Sequence, residues 1–111
     1  MFGNRVADSL FGDHLANRIE GWQGDDFLFG AAGNDVFVYD ESGYGDDTIL
    51  DFTLGSDKIQ FQASLFADFE AVMDDAVAFN GGVWLLGPGG SSIQLDNIAL
   101  ADLSASDFLF V

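Results

Sequence analysis

The chain has 111 residues, nearly half of them apolar, and a formal net charge of −16 from nineteen acids against three bases. That length allows one domain with a real core, and so acidic a surface repels nucleic acid and anionic membrane. With no cysteine, a disulfide framework, thiol catalysis and a zinc–thiolate site are excluded, and no apolar run approaches the eighteen or so residues of a membrane span.

From the start the chain repeats every nine residues. Glycine stands at positions 3, 12, 21 and 30, Asp8, Asn17, Asp26 and Asp35 take the sixth place of each unit, and Leu10, Ile19, Leu28 and Phe37 take the eighth. A fixed period sets the architecture before any local feature does. Four units run without a gap as GNRVADSLF (3–11), GDHLANRIE (12–20), GWQGDDFLF (21–29) and GAAGNDVFV (30–38). SGYGDDTIL (42–50) resumes the register after Tyr39-Asp40-Glu41, and FTLGSDKIQ (52–60) after Asp51, which adds Asp47 and Asp57 to the sixth-place series and Ile49 and Ile59 to the eighth.

Each unit divides in two. Its first six residues are rich in Gly, Asp and Asn, which form turns and tolerate positive φ. Its last three read x-apolar-x, a minimal strand with one side chain pointing inward. Two units make one rung of a coil, so odd units stack on one side and even units on the other, as two parallel three-stranded sheets with the eighth-place residues between them. Asp8, Asp26 and Asp47 then form one column, and Asn17, Asp35 and Asp57 the other.

Rungs about 4.8 Å apart bring carboxylates close enough to repel by roughly 3–4 kcal/mol at an effective dielectric near 20. A hard cation between rungs reverses that sign. Calcium takes six to eight oxygens from carboxylates and carbonyls, and suits this flexible set better than magnesium does. The expected ligands are the side chains of Asp26, Asp35, Asp47, Asp57, Asp8 and Asn17, with loop carbonyls around Gln23, Gly24, Asp25, Ala32, Gly33, Asn34, Tyr44, Gly45 and Asp46. Several calcium ions are expected, between Asp26 and Asp47, Asp35 and Asp57, Asp8 and Asp26, and Asn17 and Asp35.

Units three to six resemble the calcium-binding nonapeptide of RTX proteins, G-G-x-G-x-D-x-U-x. Gly24, Asp26 and Leu28 match, as do Gly33, Asp35 and Phe37, then Gly43, Gly45, Asp47 and Ile49, then Gly55, Asp57 and Ile59. Trp22 and Ala31 replace the second glycine, Val6 and Leu15 replace the fourth-place glycine in the first two units, and Asn17 replaces the aspartate. The resemblance implies an all-β fold, a right-handed parallel β-roll with a small C-terminal cap of helix and strands.

After Gln60 the period stops. Ser64 is the expected cap of a helix running to about Asp75, with Phe66, Phe69, Val72 and Met73 at helical spacing. Val77–Phe79 and Val83–Leu86 around Asn80-Gly81-Gly82 predict a hairpin. Gly87-Pro88-Gly89-Gly90 predicts a turn, Ser92–Leu95 a strand, Leu100–Asp107 a loop or short helix, and Phe108–Val111 a last strand. Residues 1–60 are thus read as the repeat region and residues 61–111 as its cap, together one folding unit. This half resembles the C-terminal segment of RTX proteins exported by type I secretion, through Asp51–Ile59, the stretch LADLSASDF (100–108), and the final Asp107, Phe108, Leu109, Phe110 and Val111.

Outward-facing Phe27 and Phe29 require a cover, either the C-terminal half or a partner. Catalysis has little to build on. His14 reads as an exposed turn residue, Ser91 and Ser92 lack a nucleophile elbow, and Trp22 and Trp84 read as core or loop packing rather than sugar platforms. No positively charged, apolar segment opens the chain, so export is expected to proceed without a classical amino-terminal signal. The expected whole is a non-enzymatic, calcium-folded module of a secreted, extracellular bacterial protein. Its expected partners are calcium, the type I secretion machinery during export and an upstream domain, with no nucleic acid and no stable membrane insertion. The alternative is an adhesion or carbohydrate-binding module using the aromatic patch.

Overall fold

The structure, a computed structural model, describes residues 9–13, 15–40, 44–87 and 90–111. Each of the six repeat units contributes one short strand from its x-apolar-x end: β1 (Ser9–Phe11), β2 (Arg18–Ile19), β3 (Phe27–Phe29), β4 (Val36–Tyr39), β5 (Asp46–Ile49) and β6 (Lys58–Phe61). Alternate units pair in parallel. Leu10 lies opposite Leu28 and Leu28 opposite Ile49 in the odd stack, while Ile19 lies opposite Phe37 and Phe37 opposite Ile59 in the even stack. The two insertions therefore leave the register intact, because each is absorbed in a turn before the next strand begins.

The eighth-place side chains meet between the sheets. Ile19, Leu28, Phe37, Ile49 and Ile59 are fully buried in one continuous core. The six-residue turns reach this geometry through left-handed backbone at the fourth-place glycines, with φ of +95° at Gly24 and +88° at Gly33, a region closed to most residues with a β carbon.

The fold is mostly β, but its sheets are larger than three strands and one of them is mixed. The C-terminal half supplies α1 (Phe69–Asp74), β7 (Ala76–Phe79), β8 (Gly82–Leu86), β9 (Ser92–Asp96) and β10 (Phe108–Phe110). β9 adds in parallel to β5, with Ile93 opposite Asp47 and Leu95 opposite Ile49. β8 and β7 follow in antiparallel order, giving β1-β3-β5-β9-β8-β7. β10 adds in parallel to β6, giving β10-β6-β4-β2. The cap thus extends both stacks by one further parallel strand, with Leu95 and Phe108 continuing the buried eighth-place rows.

The helix is shorter than the apolar spacing suggests. Its N-cap is Asp68, whose carboxylate accepts the Ala71 N–H at 2.9 Å. Leu65 N–H bonds back to the Gln62 carbonyl in a turn, so Ser64 belongs to that turn and not to the helix. Phe66 remains buried, edge-on to Phe61 at 4.7 Å between centroids. Burial, not helical period, placed it there.

The outer aromatic face is not covered by the cap, whose strands join the sheets edge to edge. Phe27 stays 51% exposed and Phe11, stacked on Phe29 at 4.6 Å, stays 60% exposed. The tryptophans also lie at the surface. Trp22 is exposed, and Trp84 stacks on Phe79 while its indole N–H donates to Gln94.

Phe37→Ala is expected to cost about 3–5 kcal/mol, the loss for deleting a buried ring and leaving a cavity, whereas Phe27→Ala should cost less than about 1 kcal/mol. Urea unfolding of the two variants under identical conditions measures the contrast.

Candidate metal centre

The sixth-place side chains lie one above another, and those of units two to four are tucked against the glycine that starts the unit. A β carbon on Gly21 or Gly30 would run into the carboxylate of Asp26 or Asp35. The glycine that opens these units is therefore the room its aspartate needs. Asp26, Asp35, Asp47 and Asp57 are all buried, four carboxylates withdrawn from water in a protein with three bases.

Each of the later aspartates turns one oxygen to the rung before it. Asp35 Oδ1 accepts the Asn17 N–H at 2.9 Å, Asp47 Oδ1 accepts the Asp26 N–H at 3.0 Å, and Asp57 Oδ1 accepts the Asp35 N–H at 3.0 Å. These charge-assisted bonds, roughly twice as strong as neutral ones, clip rung to rung. The second oxygens differ. Asp57 Oδ2 accepts the Thr53 N–H at 2.9 Å. Among the described residues Asp35 Oδ2 and Asp47 Oδ2 are buried with no hydrogen-bond partner, which native proteins rarely leave so.

Burial pushes the Asp47 carboxyl up to about 8, against the Asp26 N–H bond that lowers it and with the Asp26 carboxylate raising it further. Burial likewise raises Asp35 and Asp57, each opposed by the N–H it accepts. A carboxylate in such a place needs a proton or a cation.

The donor set fits a hard cation. Carboxylate oxygens lacking donors stand beside turns whose successive loops stack without space between them: a β carbon on Gly45 would meet the Gly24 carbonyl, and one on Gly33 the Leu15 backbone. Among the described residues no three acidic or histidine side chains converge, so ions here would draw on two carboxylates and on backbone carbonyls, the oxygen chemistry of calcium.

Asp26 with Asp47, and Asp35 with Asp57, are brought together as rung neighbours, and Asn17 joins the second column. Asn17 turns its amide N–H2 to the Leu15 carbonyl at 2.8 Å and to Asp13 Oδ1 at 3.1 Å, leaving Oδ1 as its available oxygen. Asp8 and His14 lie outside the described residues. The loops of Gln23, Gly24, Asp25, Ala32, Gly33 and Asn34 sit at the turns as expected, and the Gly45 carbonyl already accepts the Ser92 N–H at 3.0 Å.

Two contributors escaped the repeat pattern. Asp51, the single inserted residue before unit six, accepts the Gly30 N–H at 2.9 Å and the Ala31 N–H at 2.7 Å, closing the head of the loop of unit four. Asp25, Asp46 and Ser92 form a second ladder, in which Asp46 N–H donates to Asp25 and Ser92 Oγ donates to Asp46. An aspartate at the fifth place of units three and five was the available signal.

The terminal segment is fully engaged. Asp107, buried, closes a capping box with Ser104 at 2.9 Å. Phe108, Leu109 and Phe110 pair with β6, and Val111 exchanges backbone bonds with Phe61 and Ala63. Lys58 Nζ donates to the Ser106 carbonyl, fastening this end to the sixth unit.

The family described as peptidase M10 serralysin C terminal matches residues 9–109. The chain belongs to the serralysin C-terminal family. This is an RTX-type C-terminal region of secreted proteins, extracellular and bacterial, and RTX domains in general bind calcium. Among solved structures, the extracellular lipase LipA from Serratia marcescens shares the fold at a TM-score of 0.73 and 22% identity, over 98% of this chain. The chain spans 20% of that lipase's length. The AlgE6R3 subunit of the Azotobacter vinelandii mannuronan C5-epimerase aligns at 21% identity over 96% of this chain and 80% of its own, with a TM-score of 0.43, too low to bear on the fold. No curated protein sequence matches. Among the described residues no helix is long and apolar enough to cross a membrane.

Two outcomes follow from the geometry of this serralysin-type domain. Trp22 and Ala31, where the RTX motif has its second glycine, hold φ of +66° and +63°; Ala31→Gly should stabilise the fold by about 1 kcal/mol, read from urea midpoints. In chelator, the folded chain keeps protons on these aspartates that the unfolded chain releases near pH 4, so stability should fall as pH rises from about 4 towards 8. More sheet by circular dichroism in chelator at about pH 8 than at about pH 5 would contradict this sign.

Proposed function

We propose that the chain is a calcium-binding module whose folding is driven by calcium, at the carboxyl end of a protein exported by type I secretion. The observation that carries this is the pair of sixth-place columns, with buried carboxylate oxygens at Asp35 and Asp47 that lack a hydrogen bond of normal geometry among the described residues. Asp26 with Asp47 and Asp35 with Asp57 would hold the ions, Asn17 and Asp8 would serve the first rung, and carbonyls of Gln23, Gly24, Asp25, Ala32, Gly33, Asn34, Tyr44, Gly45 and Asp46 would complete them. Bound calcium supplies the positive charge that turns repulsion between rungs into attraction.

The mechanism is linkage. Where calcium is scarce, as in bacterial cytosol, buried like charges and the entropy of many ordered glycines oppose folding, and the chain stays threadable. Outside, any ion that binds only the folded chain stabilises it, by about 2.7 kcal/mol per site at a hundredfold excess over Kd. Asp107–Val111 acts in export before folding and becomes β10 afterwards. β9 and β10 join the cap to both stacks, which supports residues 1–60 and 61–111 as one folding unit; a right-handed β-roll that nucleates folding of an upstream domain is the rest of the proposal. The exposure of Phe11 and Phe27 favours a second role for the outer face, as a contact surface for adhesion, carbohydrate or the upstream part of the parent protein.

Circular dichroism is expected to show little sheet in chelator near neutral pH and a cooperative gain as calcium is added. Asp35→Ala should raise the calcium needed by tenfold or more, about 1.4 kcal/mol, whereas Asp74→Asn at the end of α1 should leave it unchanged. A chain fully folded in excess chelator at that pH would refute the linkage.

A further inference from the structure

Three polar groups share one buried place in the odd stack. They are Asp47 Oδ2 and the hydroxyls of Tyr39 and Tyr44; among the described residues none has a partner at normal hydrogen-bond geometry, although the Tyr39 hydroxyl faces Asp47 closely enough to interact with it. All three residues are almost wholly buried, at 1%, 3% and 3% exposure. The tyrosine rings lie 4.7 Å apart, tilted at 59°. Tyr39 stands within electrostatic reach of Asp47, Asp26 and Tyr44, and Tyr44 within reach of Asp47. One unsatisfied buried oxygen can be an accident of packing. Three together describe a place shaped for something that offers each of them a contact.

The nonapeptide pattern does not account for the two phenols. Tyr39 ends β4 in the even sheet, opposite Phe61, and opens the insertion Tyr39-Asp40-Glu41 between units four and five. Its side chain reaches from the even sheet to Asp47 on the odd one. Tyr44 takes the third place of unit five, and a β carbon on Gly87 would collide with its hydroxyl, so the loop after β8 packs directly on this group. The even stack is built otherwise. There Asp57 is satisfied at both oxygens by backbone N–H groups of Asp35 and Thr53.

We infer that the Tyr39 and Tyr44 hydroxyls are neutral oxygen donors that complete the odd-stack cation site beside Asp47. The inference rests on the calcium reading above and goes beyond it in naming side chains outside the repeat. A phenol oxygen adds a lone pair without adding charge, and so increases the donor count of a site already crowded with carboxylates. It also makes the odd site dependent on the insertion and on the Gly87 loop. The odd site is therefore complete only once the cap has docked, while the even site is assembled by units four and six alone.

Both of the chain's tyrosines stand here, which makes the test spectroscopic. The probe is terbium, a calcium-sized lanthanide that emits when a neighbouring aromatic ring transfers energy to it. The full chain carries Trp22→Phe and Trp84→Phe so that tyrosine is its sensitiser. Tyrosine-sensitised emission is expected, displaced by calcium. Tyr39→Phe and Tyr44→Phe should each lower it and raise the calcium required for half-maximal folding by roughly tenfold, the usual scale for groups that support metal ligands. If the chain folds with calcium but both variants keep emission and midpoint, the hydroxyls are merely buried, the inference is overturned, and the calcium reading stands. If the tyrosine-containing chain itself gains no structure with calcium, it is the calcium reading that fails. Should a phenylalanine variant not fold, folded and terbium-loaded chain without tyrosine-sensitised emission would overturn the inference equally.

Discussion

The sixth-place carboxylate sets the terms for the rest of this structure. One oxygen clips the preceding rung through its backbone N–H, at 2.9–3.0 Å in three successive cases. At Asp26 and Asp35 the side chain is also buried against the glycine that opens its unit, and the next aspartate in each column carries the same charge. The group that ties rungs together therefore also drives them apart. A protein with nineteen acids and three bases cannot settle that conflict with its own cations, so protons or metal ions from outside must do so.

The conflict is distributed unequally. In the even column Asp57 has both oxygens satisfied by backbone donors, so strain concentrates higher up, at Asp35. In the odd column it concentrates at Asp47, where Ile93 of β9 replaces the next aspartate in register. Ending a charged column on an apolar residue stops the accumulation of repulsion and joins the stack to the hydrophobic cap. The cap itself works through burial. Phe61 collects Phe66, Phe108 and Phe110 around it, and such aromatic groups hold more apolar area than the three-residue strands beneath them could bury alone.

The outer face follows a different logic. Because β9 and β10 join edge to edge, they finish the sheets without covering them, and Phe11 and Phe27 remain on the surface of the odd stack. Covering that face and capping the stack are separate tasks, and the C-terminal half performs only the second.

The sequence alone determined what is local and periodic. The spacing of nine put Leu28 under Ile49 and Phe37 under Ile59, because a stacked coil repeats its environment and each unit must solve the same packing problem. The aspartate columns followed from the same period. What the period could not contain was decided by the tertiary structure. Whether Ser92–Asp96 and Phe108–Phe110 make a separate cap or join the stacks depends on the free edges of β5 and β6, which no local pattern describes. The start of α1 at Asp68 rather than Ser64 was decided by Phe66 turning into the core. Asp51 as a clamp, and Tyr39 reaching Asp47 from the opposite sheet, are contacts between residues in different rungs that share no position in the repeat. They arise from insertions, where periodicity is silent and only three-dimensional proximity assigns a partner.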